Sequence, residues 1–124
     1  MNYERALELL EQTFSENHAT ATFEDLKDEL ESSPGAALWM GDNSVVFLRL
    51  CDHDTGERVL EASPAAGDLE EILTRGTKEI ETIARQNGCS QIQVRAGRGG
   101  WERALKASGY EVTAVIMRKI VCNG

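Results

Sequence analysis

The sequence predicts an α+β fold, layered in the manner of α/β proteins, with a mixed but mostly antiparallel sheet flanked by helices. Three observations predict it. First, the apolar runs Ala36–Met40 and Ser44–Leu50 flank the turn Gly41-Asp42-Asn43, a β-hairpin signal. Second, residues from about Asp68 to Gln86 keep Leu69, Ile72, Leu73, Ile80, Ile83 and Ala84 at helical spacing. Third, Gly88 to Lys119 reads as turn, strand, glycine-rich loop, short helix, glycine stop and strand.

The elements follow in order. Met1 to about Glu16 is an amphipathic helix, with Leu7, Leu10 and Phe14 inward, Tyr3 one turn earlier and an acidic outer face. Thr22 or Thr20 caps a second helix through Phe23, Leu26 and Leu30, and Thr22-x-x-Asp25 is a capping signal. Ser32-Ser33-Pro34-Gly35 stops it. The hairpin follows, in which Trp39 and Phe47 suit either a core or a sheet-edge interface. After the turn Cys51–Gly56, Glu57–Ala62 is a third short strand, and Pro64–Gly67 is a loop. Gly76 interrupts the long helix at a cost of about 1 kcal/mol relative to Ala. Asn87-Gly88 ends it. The unit from Arg58 to Arg95 then adds a parallel strand pair through a right-handed crossover. Ile92 and Val94 alternate with Gln91, Gln93 and Arg95, the period of a half-buried strand. Trp101, Ala104 and Leu105 lie at helical spacing before Gly109, and Val112–Val121 is the last strand.

Composition narrows the function classes. The chain has 124 residues, a single domain's length, with 41% hydrophobic and 27% charged residues. No apolar run approaches the roughly 20 residues that span a bilayer, and no membrane partner is expected. The first residues have no signal-peptide pattern, and the expected location is cytoplasmic. Cys51, Cys89 and Cys122 are widely spaced and odd in number, as free thiols of a reducing compartment are. His53 in Cys51-Asp-His-Asp54 belongs to a solvated loop, and no metal site is expected. The net charge is -8, with nine acids and two bases in residues 1–34 but seven bases and two acids in residues 85–124. This balance argues against nucleic acid as partner, since phosphate contacts need many Lys and Arg. It leaves room for an anionic ligand or an acidic partner at the basic end, or for charge neutralisation within the fold.

The element order resembles the GNAT acetyltransferase superfamily over nearly the whole chain, with the first strand shortened or missing. The resemblance is carried by Gln91–Val94, Trp101–Lys106, Ser108-Gly-Tyr110 and Val112–Arg118. The run Gly97-Arg-Gly-Gly-Trp101 also resembles small GNAT-like proteins encoded by tailed bacteriophages. That second likeness implies a phage structural or assembly-associated protein, in the host cytoplasm or the virion.

The resemblance implies acetyl-CoA as cofactor, with its pyrophosphate cradled by a Gln/Arg-x-x-Gly-x-Gly/Ala segment at the start of the central helix. This sequence departs from the pattern there. Ala62–Ile72 holds one glycine, Gly67, with no Arg or Gln before it. Pro64 removes a donor, and Asp68, Glu70 and Glu71 fill the first helical turn. The expectation is a lost pyrophosphate site, no cofactor and no catalytic residues. Glu61 is a candidate base or a solvated strand residue; Tyr110 is a candidate acid or a core aromatic. Arg98-Gly99-Gly100 suits an anion-binding nest or a tight loop. Arg95, Arg98, Gly99, Gly100, Trp101 and Arg103 form the candidate interaction site. The function expected is a non-catalytic GNAT-like module that binds another protein; the alternative is a divergent acetyl-CoA-dependent N-acetyltransferase. A third reading makes the acidic helices a nucleic-acid mimic. Oligomeric state is not legible in the sequence.

Overall fold

In the computed structural model of the chain, the described residues are 1–16, 22–95, 99–113 and 119. Two helices, α1 (Tyr3–Glu16) and α2 (Phe23–Ser32), precede the strands β1 (Ala36–Met40), β2 (Ser44–Asp52) and β3 (Arg58–Gly67). The central helix opens as α3 (Leu69–Glu71), widens into a π segment (Ile72–Gly76) and continues as α4 (Thr77–Gln86). Strand β4 (Gln91–Gln93) and helix α5 (Gly99–Ala107) follow. The sheet order is β1-β2-β3-β4, antiparallel up to β3 and parallel between β3 and β4. This is the expected α+β architecture.

Alternation along the strands gives the sheet two apolar faces. On one face Ala6, Leu10 and Leu26 of α1 and α2 pack against Val45 and Phe47. On the other, Trp39, Val46, Leu48, Leu60 and Ala62 meet Ile72, Ile80 and Ala84 of the central helix. The buried stripe of α1 is rotated from the expected one. Ala6 and Leu10 are fully buried, Leu7 only partly, and Tyr3 is exposed. The small side chain of Ala6 lets α1 approach the sheet closely. Thr22 is the cap of α2, in a complete capping box: its hydroxyl accepts from the Asp25 N–H, and the Asp25 carboxylate accepts from the Thr22 N–H.

Strand β3 runs five residues further than expected and absorbs the predicted loop Pro64–Gly67. The pairing skips from Leu48↔Ala62 to Val46↔Ala65, so β3 carries an extra residue beside Phe47. That bulge accommodates Pro64, which cannot donate to a ladder. Beyond it Ala65 and Ala66 pair with Val46 and Val45. Of the predicted last strand, Val112 and Thr113 lie outside the sheet, and 114–118 and 120–121 lie outside the described residues.

The π segment explains Gly76. Steps of four residues overrun a 3.6-residue turn, and a π turn takes up the excess. Ile72, Gly76, Ile80 and Ala84 are accordingly all buried. Trp39 is also buried, not at an interface, and its indole lies against Gly76: a Cβ there would sit 3.2 Å from the ring. The indole N–H donates to Glu79 Oε2 at 2.7 Å, so the ring cannot easily yield. We expect Gly76→Val to lower unfolding free energy by about 1–3 kcal/mol through overpacking. Gly76→Ala should fail to deliver its usual helix-propensity gain of about 1 kcal/mol. Urea denaturation of both variants checks this.

Candidate functional site

The start of the central helix is a joint between three elements. Asp68 is its N-cap; the Asp68 carboxylate accepts the Glu71 N–H at 3.3 Å. The Asp68 N–H donates to the Asn43 carbonyl of the β1–β2 turn at 2.9 Å. The Glu71 side chain reaches back into that turn. Its carboxylate accepts the Asp42 N–H at 3.0 Å, the Asn43 N–H at 2.9 Å and the hydroxyl of fully buried Ser44. Two glycines make room. A Cβ on Gly41 would lie 2.2 Å from Glu71 Oε1. One on Gly67, which has φ +97°, would lie 2.2 Å from the Asn43 carbonyl oxygen.

The electrostatics of the joint are those of an anion already bound. The Ser44 hydroxyl, then the Asn43 and Asp42 N–H groups and Arg75, hold the Glu71 carboxyl below the usual carboxylate range. Arg75 also bridges Asp42 at 3.6 Å and Glu79 at 3.3 Å. The sequence placed Asp68, Glu70 and Glu71 in the first turn; that Glu71 caps the hairpin turn was not legible, because the contact spans 27 to 29 residues. A run of Gly-Asp-Asn-Ser opposite an acidic first turn was the available signal.

A second feature lies where β3 and β4 part. Among the described residues they pair over Val59–Glu61 and Gln91–Gln93, while β3 continues to Gly67. On the central-helix side of the sheet, a cavity is lined among the described residues by Val46, Ala62, Ala65, Ile72, Thr77, Ile80, Val94, Trp101, Leu105 and Tyr110. The cavity is about 20 Å³. That is room for about one water-sized guest. Burial, and then the nearby Glu81 carboxylate, push the Tyr110 hydroxyl above its ordinary value. The Thr77 hydroxyl at this cavity donates to the Leu73 carbonyl at 2.7 Å.

Glu61 is partly exposed, as a strand residue at the solvent boundary, and is not among the residues that line this apolar pocket. It lies on the α1–α2 side of the sheet, where Arg49 Nη1 donates to it at 3.0 Å. Arg49 also grips Glu29 of α2 with two bonds, of 2.5 and 2.6 Å. Its guanidinium lies 5.3 Å from the Phe47 ring centroid. The geometry ties α2 to β2 and β3 and leaves Glu61 already engaged.

The predicted interaction residues are dispersed in character. Arg95 and Arg103 are exposed. Gly99 and Gly100 open helix α5. Trp101 is half-buried and packs on the core beneath the wedge. Arg98 lies outside the described residues. Cys51 and Cys89 are free, partly buried thiols. Burial is the main cause that raises both. Cys122 lies outside the described residues. Among the described residues, no helix is long and apolar enough to cross a membrane.

Paired helices, an antiparallel meander, a central helix and a parallel strand that parts from its neighbour define the fold of the GNAT acetyltransferases. The solved structures agree. The chain is similar to a proposed acetyl transferase from Pyrococcus furiosus, at TM-score 0.74 and 15% identity over 95% of this chain and 93% of that one. It is similar to an acetyltransferase from Trypanosoma brucei, at TM-score 0.67 and 14% identity over 95% and 92%. It is likewise similar to a transcriptional regulator from Bacillus halodurans, at TM-score 0.68 and 9% identity over 98% and 96%. At these identities the likeness establishes the fold. No protein-family model matches the chain, and no curated protein matches it in sequence.

The joint at Glu71 yields a pH prediction. A carboxyl whose folded-state pKa is depressed stabilises the fold above its unfolded pKa, and the gain is lost as pH falls through the folded value. Glu71→Gln is therefore expected to lower the urea midpoint at neutral pH. The gap to the unchanged protein should narrow as pH drops below the ordinary carboxylate range. A gap that stays constant with pH would assign the loss to shape rather than charge.

Proposed function

We propose that this chain is a GNAT-fold module that binds another protein and does not use acetyl-CoA. The observation that carries this reading is the occupied start of the central helix. The family resemblance puts the coenzyme A pyrophosphate there. In this chain the Glu71 N–H is taken by the Asp68 carboxylate and the Asp68 N–H by the Asn43 carbonyl. A pyrophosphate would also meet Asp68, Glu70 and Glu71, with Gly67 as the loop's only glycine. Each like-charge pair at about 4 Å costs about 4 kcal/mol near a protein surface. The residues present do not fit the group, and no chemical step is assigned to it.

What supports a protein partner is the surface. The acidic helices α1 and α2 and the exposed Arg95 and Arg103 present opposite charges at separate places, a pattern suited to electrostatic recognition. For a phage setting, in the host cytoplasm or the virion, the support is the Gly97–Trp101 resemblance alone.

A second reading, a divergent N-acetyltransferase, is favoured by the parting of β3 and β4 and by neighbours that are acetyltransferases. It would need Arg95, Arg98 or the backbone of residues 65–67 to hold the phosphates. Residues 65–67 already pair with Ser44, Val45 and Val46 on one side. Isothermal titration with acetyl-CoA decides between the two. No heat of binding at millimolar cofactor is expected; micromolar affinity would overturn the proposal and establish the second reading.

A further inference from the structure

We infer that the open edge of β1 is a docking strand for an extended, basic segment of a partner protein. The inference deepens the protein-binding reading above and rests on it. Among the described residues, β1 pairs on one side only and ends the sheet. The direction of its backbone groups follows from its neighbours. The Gly41 N–H donates to the Ser44 carbonyl, and the Leu50 N–H donates to the Gly35 carbonyl. In an antiparallel ladder such pairs alternate. Ala37 and Trp39 therefore turn their backbone groups toward β2. The Ala36 carbonyl and both backbone groups of Leu38 and Met40 face outward, while the Ala36 N–H is taken by Ser33.

Exposed edges in monomeric proteins are usually blunted by charge, proline or a bulge. Here Ala-Ala-Leu-Trp-Met has no charge and no proline, and its pairing with β2 runs without a register shift. Met40, 37% exposed, ends it with an apolar side chain. The strand is also rigid. Trp39 anchors it to the central helix, Leu38 packs on the cluster beneath α1 and α2, and Glu71 clamps its closing turn. A preordered edge lowers the entropic cost of adding a strand.

The charge beside the edge selects the occupant. Helix α2 packs on β1, and its Glu24, Asp25, Asp28 and Glu31 are exposed, with Lys27 the helix's one base. Alternate side chains of an added strand point to the α2 side of the sheet. Lys or Arg at those positions meets this acidic surface. A second copy would bring the same helix and the same net charge of -8 against it.

Fluorescence anisotropy with short labelled peptides tests this. One series alternates Val and Thr with Lys, and a matched series replaces Lys by Glu. The Lys series should bind at least about tenfold more tightly, with an affinity that falls as salt rises. Hydrogen exchange at the Leu38 and Met40 amides should slow on binding. Met40→Pro deletes an outward N–H without touching the β1–β2 ladder and should remove the binding. Should that variant unfold, Met40→Lys keeps the N–H, places a cation on the edge and should weaken the Lys series. Equal binding of both series, no binding, or binding indifferent to both variants would overturn the inference. So would a concentration-dependent dimer in sedimentation that Met40→Lys dissolves, which would assign the edge to a second copy. Failure here with acetyl-CoA silent leaves the non-catalytic reading standing; acetyl-CoA binding removes that reading whatever the peptides do.

Discussion

The carboxylate of Glu71 joins what would otherwise be separate parts. It leaves the first turn of the central helix, enters the β1–β2 turn and there satisfies two backbone donors and a buried hydroxyl. Once that contact forms, the hairpin cannot slide along the helix. Gly41 and Gly67 follow from it, because each stands where a side chain would collide with a partner in the joint. The same contact determines the chemistry of this end of the fold. The Asp42 and Asn43 N–H groups go to the Glu71 carboxylate, and the Glu71 N–H goes to that of Asp68.

Around this joint the sheet divides the molecule into two layers of different character. The α1–α2 face is closed by packing and by Arg49, which gathers Glu29 and Glu61 into one ionic cluster. The central-helix face carries the parting of β3 and β4 and a small cavity lined mostly by apolar side chains. The outline is that of the acetyltransferase-like fold, and the start of the central helix makes its contacts within the chain.

Much of this was legible in the sequence because it is local. The hairpin, the capping box at Thr22, the central helix and the stop at Gly109 each depend on residues a few positions apart. The acid-filled first turn was legible for the same reason. What was not legible depends on distant partners. β3 reads as ending near Pro64 because proline breaks regular pairing; the long partner strand β2 carries it on through a bulge. Tyr3 satisfies the helical period of α1, yet the approach of the sheet selects Ala6 and Leu10. Glu61 has the right chemistry for a base, and Arg49, shared between Glu61 and Glu29, gives it another task.

The close approach of Trp39 and Gly76 has a consequence for descent. An indole on β1 and a bare backbone on the central helix fill one shared volume, 37 residues apart in sequence but touching in space. Neither position is free to drift by itself. Related sequences that keep the indole should keep a glycine opposite it, and those that replace it with a smaller side chain are released to carry one there. The pair is a covariation signal by which distant relatives of this chain can be recognised where overall identity gives none.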